Sequence, residues 1–360
     1  MENPFKFGTT VDSPFFTDRV KELAYVKQYV DSPNHLILIS PRRFGKSSLV
    51  KKAVRETGRE SIWVNMQQVT SVEDLASLLL KGIFRLHKWE KWRHLLMNFR
   101  VVPTVTTSPA TGEMTFSFNA SASSGPSVLE DTMDLMEQVS DPGRRLIVVM
   151  DEFQEIMGIE KGLDKRLRAI MQDQKNINYI LLGSQESMMT DIFEKVKSPF
   201  YHFGTLMHLS AIPEPDFRTY VTDRLKPILG TEADDAANKI LSITNCHPYY
   251  TQQLASGVWC IAAMNERRAD TDIVLQAVAE QVEAHDLDYE RLWLTLNKTD
   301  RRMMQILAKG ERKPYADTSV PTSTAYSSLQ KLARDGYVIR LDEYEIEDPF
   351  FAEWIRKMMR

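Results

Sequence analysis

Residues 36–48 read Leu-Ile-Leu-Ile-Ser-Pro-Arg-Arg-Phe-Gly-Lys-Ser-Ser. The four apolar residues at the start, without alternation, are typical of a short strand buried on both faces. The loop that follows, residues 40–47, matches the phosphate-binding pattern G-x-x-x-x-G-K-[ST], except that Ser40 takes the place of the first glycine. A helix-forming segment continues from Ser48, so the segment has the strand–loop–helix order that the motif requires.

In such a loop, main-chain N–H groups and the positive end of the helix dipole surround a phosphate group. Gly45 would let the backbone approach the phosphates, and Lys46 would reach the β- and γ-phosphate oxygens as a point charge. The hydroxyl of Ser47 would ligate Mg²⁺. We therefore expect ATP and Mg²⁺ as ligands, and the expected nucleotide-binding residues are Ser40, Pro41, Arg42, Arg43, Phe44, Gly45, Lys46, Ser47 and Ser48.

Further short apolar runs lie at 61–64, 146–150 and 179–182, each separated from the next by helix-forming stretches. This pattern predicts an α/β fold with an open parallel sheet and crossover helices. The run at 146–150 leads directly into Asp151 and Glu152, and ligands bind where the strands of such sheets end. Asp151 would complete the Mg²⁺ site with Ser47, and Glu152 would polarise a water for attack on the γ-phosphate.

The run at 179–182 ends in Gly183-Ser184-Gln185. A small polar side chain at this place could hydrogen-bond the γ-phosphate or the attacking water, and Ser184 is the first choice, before Gln185. The competing interpretation is that Ser184 only caps the next helix. The predicted catalytic residues are thus Glu152, Lys46 and Ser184.

Composition sets outer limits on the function. The 360 residues are 43% hydrophobic and 26% charged, which excludes wholesale disorder. A net charge of −4 supplies no bulk positive field for nucleic acid or lipid. Two cysteines cannot form a disulfide framework, and neither a signal peptide nor a membrane-spanning run is visible. We expect a cytoplasmic protein without a membrane partner.

Three domains are expected. Residues 1–210 would form the P-loop domain. The insertion at about 99–126, around the turn Pro109–Gly112, would be a β-hairpin or a mobile loop. Residues 211–285 are helical by pattern. Residues 286–360 give the order helix, helix and two short strands, which is that of a winged helix.

Two further motifs each have a functional and a structural interpretation. Asn297-Lys-Thr-Asp300 has the form of the guanine-reading N-K-x-D motif, but the Asp151–Gln154 segment does not give the expected D-x-x-G. We favour a helix start capped by Thr299 or Asp300. His247-Pro248 lacks a second His or Cys at metal-ligand spacing, so a structural turn is the ordinary interpretation.

With these motifs in place, the chain resembles the archaeal-type P-loop ATPases, which are AAA+/STAND-like proteins (ASCE-type) of archaea and of Bacteroides-type bacteria. The resemblance extends over nearly the whole chain, from Asn3–Gly8 to Asp348–Trp354. It implies that the N-terminal segment packs against adenine and that a helical lid closes over the nucleotide. It also places His247 and Pro248 in that lid, as nucleotide-binding residues, and a winged helix at the end of the chain.

One departure from the family leaves a second hypothesis. Many relatives carry an arginine shortly after the segment corresponding to Ser198–Tyr201, but His202-Phe203-Gly204 follows here. The alternative is a nucleotide-gated protein- or DNA-binding regulatory module with little or no hydrolysis. Residues 298–360 contain 12 Lys/Arg and 10 Asp/Glu, so a DNA partner is not favoured. The protein partner is unidentified, and self-association is possible.

Overall fold

The computed structural model describes residues 2–17, 19–87, 92–118, 125–268, 271–311, 320–340 and 343–359. The chain divides into two compact units. The sheet unit comprises Val20–Arg42 and Lys46–Leu209. The helical unit comprises Met1–Arg19, Arg43–Gly45 and Ser210–Arg360, so the tip of the phosphate-loop motif groups with the second half of the chain.

The strands of the sheet unit are β1 (Leu36–Ile39), β2 (Ser61–Asn65), β3 (Thr104–Thr107), β4 (Met114–Ser117), β5 (Leu146–Asp151), β6 (Ile177–Gly183) and β7 (Thr205–His208). Five of them form a parallel sheet in the order β2-β5-β6-β1-β7, and β3 and β4 form a separate hairpin. The helices of this unit are α1 (Val20–Val30), α2 (Lys46–Thr57), α3 (Val72–Leu86), α4 (Gly125–Val139), α5 (Ile156–Ile159), α6 (Leu163–Asp173) and α7 (Glu186–Phe193). Short 3₁₀ turns lie at Met66–Gln68, Arg93–Asn98 and Phe153–Glu155.

The burial of the strands explains their sequences. All residues of β1 and β6 are buried, and β5 is buried up to its last residue, as expected for central parallel strands covered on both faces. The edge strand β2 alternates between buried and partly exposed residues. The predicted α/β fold with its parallel sheet is confirmed, although the sequence did not predict β7, an edge strand with no buried residue.

The segment around Pro109–Gly112 lies in a β-hairpin. β3 and β4 pair antiparallel, with Thr104 opposite Ser117 and Thr107 opposite Met114. Phe116 is the buried residue of β4, and its ring stacks on Phe84 of α3 at a centroid distance of 5.4 Å. The hairpin is thereby fixed to the core of the sheet unit through an aromatic pair.

The helical unit has one apolar core that includes Phe5 from the N-terminal segment. The side chain of Asn3 donates to Ser256 Oγ at 2.9 Å, so this segment packs on the helix that contains Ser256. The helices are α8 (Glu214–Leu229), α9 (Ala233–Thr244), α10 (Pro248–Ala263), α11 (Ile273–Ala284), α12 (Asp286–Thr295), α13 (Lys298–Ala308), α14 (Thr322–Arg334) and α15 (Pro349–Met358), and the strands are β8 (Val338–Arg340) and β9 (Tyr344–Ile346).

The core of the helical unit runs through both of the domains predicted for residues 211–360. The order of α13, α14, β8 and β9 is that of a winged helix, but the division into a lid and a winged helix stays a prediction. None of the helices in the described ranges combines the length and the apolar character needed to cross a bilayer.

Candidate nucleotide site

The phosphate-loop motif begins where β1 ends. The N–H of Ser40 donates to Gly183 O at 3.2 Å and so continues the pairing of β1 with β6. Gly45 has a φ of +90°, and a Cβ there would meet no atom within 4 Å. The backbone therefore needs glycine at this position for its conformation, and the space beside Gly45 is open. Ser40 has no positive φ, which explains why a serine can replace the first glycine of the motif.

Lys46 is buried at 5% exposure in the first turn of α2. Its Nζ donates to Ser40 O and Pro41 O, both at 3.0 Å. Burial lowers the pKa of Lys46 to about 8, the charges of Glu152 and Asp151 oppose that shift, and Arg42 adds to it. Within the described ranges the ammonium group thus has only loop carbonyls as hydrogen-bond partners, and these are weaker partners than phosphate oxygens would be.

Two predicted metal ligands meet directly. Ser47 Oγ donates to Asp151 Oδ2 at 2.6 Å, and Asp151 is the last residue of β5. A hydroxyl and a carboxylate oxygen at the end of a strand fit the hard-oxygen ligand set of Mg²⁺, which keeps several water ligands of its own. Ser48, the next loop residue, is buried on α2.

Glu152 lies immediately after this metal-binding pair and has a left-handed φ of 54°. Its Oε2 accepts from Ser184 Oγ at 2.5 Å and from Gln154 Nε2 at 2.6 Å. Oε1 accepts no hydrogen bond within the described part of the chain. One carboxylate oxygen is therefore fixed by two donors, and the other is left to act on a further group.

Ser184 contacts Glu152 and does not cap the next helix. Gln185 occupies the N-cap position of α7 and makes no side-chain capping bond. The helix-capping alternative for Ser184 is therefore wrong, since its hydroxyl is committed to the carboxylate 32 residues earlier in the chain.

Gln154 is a further residue of this site that was not predicted from the sequence. This side chain is completely buried, and its Oε1 has no hydrogen-bond partner among the described residues. In the sequence Gln154 stands between Glu152 and Glu155 in a largely polar segment, so no local signal identifies it. A buried amide normally has a hydrogen-bond partner, and the partner of Gln154 is Glu152.

Arg43 and Phe44, at the tip of the loop, make their contacts within the helical unit. The Arg43 guanidinium lies 4.5 Å from the ring centroid of Tyr249 and donates to Tyr250 Oη at 3.1 Å. Tyr250 in turn donates to Glu347 Oε2 at 2.6 Å. The buried ring of Phe44 packs edge-on against His247 at 4.7 Å.

His247 and Pro248 begin helix α10. His247 Nδ1 accepts from the N–H of Tyr249 at 3.2 Å, which caps the helix, and Pro248 occupies the first turn. Nε2 is buried and has no hydrogen-bond partner in the described residues. Burial lowers the pKa of His247 to about 3, and the charge of Arg43 adds to this effect. The structural turn expected at His247 is present, and a role in binding nucleotide stays a prediction.

The Asn297–Asp300 motif starts helix α13. Asn297, and not Thr299 or Asp300 as predicted, is the N-cap, and its side chain accepts from Asp300 N at 2.9 Å. The Asp300 carboxylate is buried and accepts from Ser328 Oγ and Lys331 Nζ. An aspartate held in this way is occupied in packing α13 against α14.

Comparison with known proteins agrees with this geometry. Residues 16–249 match the profile of a family described as an ATPase domain predominantly from Archaea. The chain belongs to this family. The match covers the phosphate loop, the Asp151–Glu152 strand end and Ser184, so this archaeal-type ATPase domain contains every predicted catalytic residue. No curated protein matches it in sequence.

Solved structures share the fold of this ATPase domain over its full length. A Walker-type ATPase of Pyrococcus abyssi superposes with a TM-score of 0.66 at 16% identity, covering 98% of this chain and 99% of the other. The ORC2 protein of Aeropyrum pernix, in its ADPNP–ADP complexes, gives a TM-score of 0.54 at 16% identity and covers 99% of both chains. The P-loop ATPase fold is therefore established for this chain.

Proposed function

We propose that the protein is a Mg²⁺-dependent ATPase that binds ATP at residues 40–48 and uses its hydrolysis to drive a conformational change. The observation that carries the proposal is the cluster in the sheet unit. Three groups lie at the ends of β1, β5 and β6. Lys46 provides a cation, and Ser47 with Asp151 provides a pair that could bind a metal ion. Glu152, held by Ser184, provides an anchored carboxylate.

The cluster suits phosphoryl transfer because that reaction depends mainly on placed charge. Lys46 would exchange its bonds to loop carbonyls for bonds to phosphate oxygens, and Ser47 and Asp151 would hold the metal ion. Mg²⁺, when bound, neutralises charge that develops on the phosphate oxygens. The low pKa of Lys46 follows from burial, and a polyphosphate beside it would restore the preference for the charged amine.

Glu152 would act as the base that orients and deprotonates the attacking water. Ser184 and Gln154 fix its Oε2, so Oε1 would accept the hydrogen bond from water. Rigid support of a catalytic carboxylate is valuable because a small displacement of the reacting groups reduces the rate strongly. Ser184 and Gln154 would therefore be positioning residues for Glu152.

Steady-state phosphate release tests this assignment. We expect Glu152→Gln to bind ATP with unchanged affinity and to hydrolyse it at least about 100-fold more slowly, because the base is lost. Glu155→Gln, three residues further on in the same turn, is the matched control and should retain the wild-type rate. Wild-type hydrolysis by Glu152→Gln would show that this carboxylate is not the base.

The second candidate is a nucleotide-gated regulatory module with slow or absent hydrolysis. It is favoured by the chain of contacts from Arg43 through Tyr250 to Glu347, which connects the tip of the loop to the C-terminal residues of the helical unit. The absence of an arginine at 202–204 also favours it. Lys331, one of two cations on α14, is bound to buried Asp300, so a protein partner is favoured over DNA. ATP binding without measurable phosphate release would select this candidate.

A further inference from the structure

A cavity of about 350 Å³ lies in the sheet unit at the edge where the strands begin. His35 precedes β1, Arg145 precedes β5 and Phe203 precedes β7, and all three line the cavity. The candidate nucleotide residues Asp151 and Ser184 lie where the strands end. The cavity is therefore a separate site from the one proposed for ATP.

The charges on the cavity wall have a single sign. Arg145, Arg168 and Lys175 line it, and no described aspartate or glutamate does. No described carboxylate forms an ion pair with Arg145 or Arg168, whereas Arg100, for example, pairs with both Glu130 and Asp131. Two guanidinium groups without a described ion-pair partner and an ammonium group around one cavity favour an anion as ligand.

Neutral groups hold the arginine side chains in place. Arg145 Nε donates to the main-chain O of Lys175 at 2.7 Å, and Arg168 Nη1 donates to Gln172 Oε1 at 2.9 Å. The Arg168 guanidinium also lies 5.0 Å from the ring centroid of Phe203, and its buried Nε has no described hydrogen-bond partner. The other guanidinium N–H groups of Arg145 and Arg168 can therefore donate to a ligand. Because both side chains are already partly held in place, binding costs less conformational entropy.

One carboxylate near the cavity is already hydrogen-bonded to the main chain. Glu137, on α4, accepts from the main-chain N–H groups of Lys175 and Asn176, at 3.0 Å each, so its carboxylate is already engaged. The His35 ring stacks on Phe203 at 4.5 Å, and its Nδ1 lies 3.2 Å from Tyr179 N and 3.3 Å from Asn178 Oδ1. Burial lowers the pKa of His35, the hydrogen bond to Asn178 opposes this shift, and the positive charges of Arg168 and Arg145 add to it.

We infer that this cavity binds the phosphate group of a small phosphorylated molecule, through Arg145, Arg168 and Lys175. Guanidinium groups match the geometry of phosphate oxygens with paired hydrogen bonds. The volume suits a small ligand with an organic body, and the rings of Phe203 and His35 provide the apolar wall. The inference does not depend on the proposed ATPase activity.

Titration calorimetry on the full chain tests the inference, with inorganic phosphate and phenyl phosphate as probes. All proteins carry Lys46→Ala, so that binding at the phosphate loop is suppressed. We expect the double variant Arg145→Gln/Arg168→Gln to bind both probes at least roughly tenfold more weakly, from the loss of charge-assisted hydrogen bonds. Lys165→Gln, an exposed lysine on the same helix as Arg168, is the control and should bind as the parent does.

The two probes distinguish the sources of the phosphate. Tighter binding of phenyl phosphate supports a phosphate ester, and equal binding supports the phosphate group alone as the recognised element. Binding by the double variant equal to that of the control would overturn the inference, as would no binding by the parent at millimolar phosphate. If the double variant does not fold, Lys175→Gln provides the same test at an exposed position.

A local readout separates this cavity from any other phosphate site. The His35 imidazole can be titrated by NMR with and without phosphate. A bound dianion beside Arg145 and Arg168 should raise the pKa of His35, because it offsets the two positive charges. An unchanged His35 titration in the presence of saturating phosphate would also contradict the inference.

Discussion

His247 should make the protein unstable in mild acid. The side chain is 4% exposed, caps helix α10 and packs against the rings of Phe44 and Tyr250. Burial lowers its pKa from 6.5 to about 3, with a contribution from Arg43. Below pH 6.5 the unfolded chain binds a proton at this residue, and the folded chain does not until about pH 3. Stability is therefore lost as the pH falls between these values.

The size of the effect follows from the two pKa values. At about 1.4 kcal/mol per pH unit, the loss reaches about 2 kcal/mol between pH 7 and pH 5. The groups that face the imidazole are Arg43, Glu347 and Tyr250. Glu347 Oε1 lies 3.9 Å from Nε2, which is beyond a hydrogen bond and leaves burial as the dominant cause.

Urea unfolding at pH 7 and pH 5 measures this effect in the wild type and in His247→Asn. Asparagine keeps an acceptor for the helix cap, although it loses the ring contacts, so the variant can be less stable at both pH values. We expect its stability to fall by about 2 kcal/mol less than that of the wild type between pH 7 and pH 5. His94→Asn, at an exposed histidine, should behave as the wild type. Equal acid losses in wild type and His247→Asn would refute the reasoning.

Two further predictions concern the sheet unit. Ser184→Ala removes one of the two donors to Glu152 Oε2 and should lower the hydrolysis rate in single-turnover assays about tenfold, with unchanged ATP affinity. Ser187→Ala, at an exposed serine, should match the wild type. A lowered ATP affinity of Ser184→Ala would argue against a positioning role. Gly204→Ala should lower the free energy of unfolding in urea by about 1–3 kcal/mol, because a Cβ would lie 2.7 Å from the main-chain O of His35. Gly158→Ala is the control, since the space around Gly158 is open. Equal stability of the two variants would contradict the expectation.

Much of the fold follows from the apolar runs of the central strands. Residues 36–39 and 146–150 are continuous apolar segments because both faces of these strands are covered. The edge strand Thr205–His208 was not predicted, since none of its side chains is buried and its sequence therefore carries no such pattern. A strand has a clear apolar pattern when it lies at the centre of the sheet, and the sequence of a single segment does not reveal where in the sheet it lies.

The site was predictable where a motif fixes the residue type. Ser47 was predicted from the strand–loop–helix pattern and Asp151 from the polar end of an apolar strand. The two residues are 104 positions apart in the sequence, and the structure joins them by a hydrogen bond. Gln154 and the cap residue Asn297 were missed because their roles depend on which neighbours fold against them. A polar residue in a loop offers several local hydrogen bonds, and only the tertiary structure selects one.

Fluorescent-ATP binding in the presence of Mg²⁺, compared between the wild type and Lys46→Ala, tests whether the phosphate loop binds ATP through Lys46. We expect saturable binding by the wild type, a weaker affinity when Mg²⁺ is removed, and loss of binding in Lys46→Ala. Among the described residues, Lys46 Nζ is the only side-chain cation that donates to the carbonyls of Ser40 and Pro41. Equal ATP affinity in the two proteins would show that Lys46 does not bind the nucleotide.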